Sequence, residues 1–145
     1  MNIYHSCFRF WRNFQDKDKF CWIAITKSTP PDYFGNTYDK LAPIGSQYEE
    51  AVHPFNAKKF FNIYVQQLKS LNKKTVLDEI KAFSENGNDI VLLNWEPLGV
   101  LSEGRLAYAW MMNMNMQMAD FYDLETQLEL MKKRETIHGD NFLNV

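Results

Sequence analysis

The run "DIVLLNW", Asp89 to Trp95, constrains the fold more than any other stretch of the chain. Four consecutive aliphatic residues, Ile90 to Leu93, stand between the turn formers of "ENGND" and a polar, proline-containing stretch. A strand with one wet face alternates apolar and polar residues. One that is apolar at every position is covered on both faces, as in a parallel sheet with helices on either side. The rest of the chain must supply the neighbours of such a strand.

Two candidate neighbours precede it. "NIYHSCF" and "KFCWIAITK" are rich in β-branched and aromatic residues and predict strands near 2–8 and 20–26, joined by a polar segment that is a loop or a short helix. From Lys27 to Pro54 four prolines and two glycines break any period, which predicts a long ordered loop, of a length that compact domains mostly reserve for function. Helical spacing follows. Phe60, Phe61, Tyr64, Val65, Leu68 and Leu71 form one apolar face behind an Asn56 cap, and a second helix from Thr75 turns Val76, Leu77, Ile80 and Phe83 inward. Strands separated by helices give an α/β fold, a small mostly parallel sheet flanked by helices, in a single domain spanning 1–145.

Composition supports one core and excludes several functions. With 145 residues, 46% of them hydrophobic, the chain fills one domain. Sixteen basic residues scattered among eighteen acidic ones leave no basic stripe, so a nucleic-acid partner is not expected. Cys7 and Cys21 each sit in a strand-like apolar stretch without a C-x-x-C arrangement and are expected to be reduced core residues. No segment approaches the ~20 apolar residues of a membrane span, so no membrane association is expected and the protein is read as soluble and cytoplasmic.

Between Arg105 and His138 there is neither Gly nor Pro, and Ala107, Trp110, Met114, Phe121, Leu124, Leu128 and Met131 recur at alternating steps of three and four, with Gln117 the only polar interruption of the series. That pattern predicts a long C-terminal helix over 105–135, about 45 Å if continuous at ~1.5 Å per residue. The alternative is a break near Met118 to Asp120, with Asp120 capping a second helix. Either form needs a partner surface. Trp110, Met114, Phe121, Leu124, Leu128 and Met131 are therefore candidates for an interface with a protein partner or a second copy of the chain. The Met-rich "WMMNMNMQM" suits adaptable packing of that kind.

Five pieces in order, "IAITKSTPP" (Ile23 to Pro31), "KLAP" (Lys40 to Pro43), "FFNIYVQQL" (Phe60 to Leu68), "VLLNWE" (Val91 to Glu96) and "SEGRLAYAW" (Ser102 to Trp110), resemble a known family, the domain-of-unknown-function family 488. The resemblance runs from about Cys21 to Met112. It implies an α/β fold and a site at the end of the "VLLNWE" strand. Where family members carry two Cys and a His, this chain has Asn94, Ser102 and Glu103; Gly104 falls at the family Arg, and Arg105 stands one place late. Asn, Ser and Glu do not replace a thiolate nucleophile or a soft metal ligand, so any Cys/His chemistry of the family is expected to be lost here. The family's activity is not established, so the resemblance supplies a fold and a place rather than a reaction.

In open α/β sheets ligands bind beyond the carboxyl ends of the strands. Two such ends offer Lys27 and Ser28, and Asn94 and Glu96 followed by Ser102 and Arg105. A helix starting near Ser102, with Gly104 allowing close approach and Arg105 as a clamp, suggests a small anionic or nucleotide-like ligand held without catalysis. The plainer alternative makes Ser102 an N-cap, Gly104 a turn residue, and Arg105 a solvated side chain or an ion-pair partner of Glu96. A third reading is a hydrolase or transferase using Glu96 and Glu103 as acid and base. His5, His53 and His138 are too dispersed for a metal motif, and neither a metal nor a cofactor is expected.

Overall fold

The computed structural model describes residues 1–52, 54–96 and 101–114. Its four strands are β1 (Ile3–Cys7), β2 (Cys21–Ala24), β3 (Asn36–Thr37) and β4 (Ile90–Asn94), in the spatial order β1-β4-β2-β3. All pairings are parallel. Ile90 to Asn94 lie opposite Ile3 to Cys7 on one side, and Ile90 to Leu93 lie opposite Cys21 to Ala24 on the other. The strand with the uninterrupted apolar run is thus the one enclosed between two neighbours.

Among the described residues five helices surround the sheet: α1 (Phe8–Asn13), α2 (Glu49–Val52), α3 (Ala57–Lys69), α4 (Lys73–Ala82) and α5 (Glu103–Met111). Successive β4 side chains point to opposite faces, and both faces are covered. Ile90 and Leu92 join Ile3, Cys21 and Ile23 in a core closed by α3, α4 and α5. Val91 and Leu93 join Trp22 and Ala24 under Phe8, Phe10 and Trp11 of α1. All four aliphatic residues of β4 are fully buried, and each such burial stabilises by roughly 1.5–3 kcal/mol before chain entropy is subtracted. Cys7 and Cys21 are buried thiols outside any disulfide, and burial pushes the Cys21 thiol up. Among the described residues no helix is long and apolar enough to cross a membrane.

Side-chain caps set the helix starts. Asn56 Oδ1 accepts from Lys59 N at 3.0 Å, Asn72 Oδ1 from Thr75 N at 2.9 Å, and Ser102 Oγ from Arg105 N at 3.3 Å. The Asn72 cap starts α4 at Lys73, two residues before the expected Thr75. The expected loop from Lys27 to Pro54 holds more structure than its composition suggests, namely β3, two 3-10 turns at Asp39–Leu41 and Ser46–Tyr48, and α2. Each is too short to show a period in sequence.

The helix expected from Arg105 onwards starts at Glu103 and ends at Met111. Asn113 has φ of 55°, Met114 N donates to Ala109 O at 2.8 Å, and Asn113 N donates to Trp110 O at 3.3 Å, the paired bonds that close a helix around a left-handed residue. Trp110, expected at an interface, is instead only 7% exposed in the chain's own core, with the Lys73 ammonium 5.4 Å from its ring centroid. Met114 is exposed. Phe121, Leu124, Leu128, Met131 and the alternative break at Met118 to Asp120 lie outside the described residues, as do His53 and His138.

Candidate functional site

The carboxyl ends of β2 and β4 are adjacent because their strands pair directly. They are also tied beyond the sheet. Ser28 O accepts from Thr26 Oγ1 at 2.6 Å and from Trp95 Nε1 at 3.0 Å, which holds the Trp95 ring in place, edge-on to Phe8 at 4.8 Å. Asn94 Nδ2 donates to Glu96 O at 2.7 Å and so turns the chain sharply after β4.

A cavity of about 520 Å³ opens at this junction, within the range of small-molecule sites. Thr26, Lys27 and Ser28 line it from the β2 end, Trp95 and Glu96 from the β4 end, and Leu101 and Glu103 from the start of α5. The Lys27 to Pro54 segment supplies the opposite wall with Pro43, Gly45, Tyr48, Glu49 and Val52, and Phe55 and Phe60 continue it. That wall is fixed by hydrogen bonds to α3. Tyr64 Oη donates to Leu41 O at 2.6 Å, Tyr48 Oη to Gln67 Oε1 at 2.5 Å, and Gln67 Nε2 to Ala42 O at 2.8 Å. Gly45, at φ of 132°, makes the turn into Ser46–Tyr48 in a conformation that other residues rarely adopt.

Two carboxyl groups dominate the interior. Glu103 is the first residue of a helix buried on nearly every side, and it is itself only 5% exposed. Burial and the nearby Glu96 push its carboxyl up to about 8, outweighing the hydrogen bond from its own backbone N–H and the favourable helix N-terminus. Glu103 is therefore protonated at neutral pH. Burial also raises Glu96, whose Oε2 is shielded from solvent without a hydrogen-bond partner among the described residues. Tyr48 and Tyr64 are held above the ordinary phenol range, first by burial and then by the Glu103 charge.

Of the residues expected at a ligand site, Lys27, Ser28 and Glu96 converge on this cavity. The other three serve the frame or stand apart. Ser102 caps α5, Asn94 fixes the turn after β4, and Arg105 is not among the residues lining the cavity. Gly104 is small for a packing reason: a Cβ there would lie 1.9 Å from Asn94 Oδ1. The Glu96 and Glu103 pair, considered for acid/base work, does meet at one cavity. Tyr48, Glu49 and Phe55 went unnoticed, although "GSQYEE" inside a long, proline-broken segment carried an aromatic and two acids in a region of functional length.

Among the described residues no group of three or more His, Cys, Asp or Glu side chains is placed to hold a metal ion. Comparison with family models, curated proteins and solved structures finds no match to this chain.

Proposed function

We propose that the protein binds a small molecule in the cavity between the carboxyl ends of β2 and β4, with Glu96 and Glu103 as the polar centre of the site. The observation that carries this reading is the unpartnered, buried Oε2 of Glu96 beside the buried Glu103 carboxyl on one cavity wall. A buried acceptor without a donor costs about 1–3 kcal/mol, and a ligand that brings donors removes that cost. Among the described residues the lining has three carboxyl groups and one lysine, which favours a neutral or cationic ligand over the anionic one that Ser102 and Arg105 suggested.

Acid/base catalysis is the second reading, supported by the same pair. Glu103, whose carboxyl holds its proton more tightly than an ordinary glutamate, is suited to give a proton to a leaving group, and Glu96 to take one from an attacking hydroxyl. Both readings require occupancy of the cavity. Thermal denaturation in the presence of sugars, polyols, amines, phosphoesters and nucleotides should show a rise in Tm with at least one class, since a ligand at a hundred times its Kd adds about 2.7 kcal/mol. A Tm unmoved by every class would overturn the proposal. If a bound compound is also turned over, Glu96→Gln and Glu103→Gln should each lower kcat about 10²–10⁴-fold.

A further inference from the structure

We infer that the ligand is a protonated primary or secondary amine carried on an apolar or aromatic frame, its N–H groups directed at Glu96 and Glu103. The inference rests on the reading of the cavity as a ligand site and goes further by fixing the ligand's charge and shape.

Three independent features lead to it. The first is an orphaned acceptor: Glu96 Oε2 is shielded from solvent and has no partner among the described residues. An acceptor without a donor calls for a donor-only group. An ammonium is one, whereas a hydroxyl adds acceptors of its own and a quaternary ammonium has no N–H to give.

The second feature is charge. Among the described lining residues, Glu49 stands at the rim and Glu96 and Glu103 inside, against one cation, the exposed Lys27. Among the described residues the groups that perturb Glu103 or are perturbed by it are Glu96 and the phenols Tyr48 and Tyr64, none of them a cation. A bound cation would favour loss of the Glu103 proton and offset the repulsion that then arises between the two acids. An anion would add to it.

The third is the aromatic lip. Phe55 and Trp95 are about half exposed and Val52 is 36% exposed, yet all three line this cavity. Trp95 is fixed by its bond to Ser28 O, and Phe60 stands between Tyr48 at 5.8 Å and Phe55 at 6.0 Å, so the rings are already in place. Aromatic faces attract both a cation and the apolar body attached to it.

Three probes sharing one frame test this: 2-phenylethylamine, protonated at neutral pH, the neutral 2-phenylethanol and the anionic 3-phenylpropanoate. Isothermal titration of each into the full-length protein should show the amine binding at least about tenfold more tightly than the alcohol, with the carboxylate weakest. Glu96→Gln should weaken the amine about tenfold or more and leave the alcohol nearly unchanged. Lys27→Met should strengthen the amine a few-fold, an arm that spares the buried pair. Equal or tighter binding of the alcohol or the carboxylate would overturn the amine assignment while leaving the cavity as a ligand site. Absence of binding by all three, with a Tm rise from another compound class, would overturn it too. Absence of both would remove the site reading as well.

Discussion

Glu103 shows how a single position sets a site's chemistry. A carboxyl at the first turn of a helix is ordinarily stabilised as an anion, and on a surface helix Glu103 would be a charged, capping-type residue. Here α5 is buried on nearly all sides, and burial together with Glu96 reverses the preference. The effect on stability has a definite sign. The folded state holds the proton up to about pH 8 while the unfolded chain releases it near its ordinary value of 4.5, so stability is greatest below that value and falls as pH rises through 8. Glu103→Gln should match the parent protein near pH 5 and exceed it by about 2–4 kcal/mol at pH 9, measured by urea unfolding across the range. A parent protein whose stability is flat between pH 5 and 9 would contradict the buried, protonated state.

At the scale of elements, β4 and α5 are locked by the contact between Asn94 and Gly104. Gly104→Ala should destabilise by about 1–3 kcal/mol, because a Cβ has no room while the Asn94 carbonyl stands against it. Removing that carbonyl in Asn94→Ala/Gly104→Ala should recover part of the loss, which a double-mutant cycle by chemical denaturation would measure. Neither residue announces this role in sequence, since Asn after a strand and Gly near a helix start are ordinary turn formers. What local chemistry determines was legible: the apolar run Ile90 to Leu93 of β4, the strands at Ile3–Cys7 and Cys21–Ala24, and the caps Asn56 and Ser102. What depends on convergence was not. Tyr48 and Phe55 reach the same cavity as Glu96 only through tertiary folding, and no spacing rule relates positions that far apart. The end of α5 was hidden for a different reason. An apolar series in steps of three and four continues past Met111 in the sequence, and the left-handed conformation of Asn113 that closes the helix is one that asparagine adopts readily but does not advertise.

At the scale of the whole molecule, the sheet sets β2 and β4, distant in sequence, side by side, and the crevice opens at their carboxyl ends. The cavity draws on β2, the irregular segment before α3, β4 and α5, so its shape reports the integrity of the complete sheet rather than of one loop. Substitution inside β4 should therefore damage the site without touching its lining. Leu92→Ala should cost about 2–5 kcal/mol and lower the affinity for any cavity ligand in proportion to the unfolded fraction, read by denaturant titration with and without that ligand.

The position of β4 between β1 and β2 also dictates the order in which the protein comes into being. β1 and β2 do not hydrogen-bond to each other; each pairs with β4, and Cys7 meets its partner Asn94 across 87 positions of chain. As a ribosome makes the chain from its N-terminus, the first two strands wait with unsatisfied edges until residues 90–94 have emerged. Folding is consequently a late, concerted event governed by long-range pairing, slow for a domain of this size, and the nascent first half is the form of this protein most dependent on protection from aggregation.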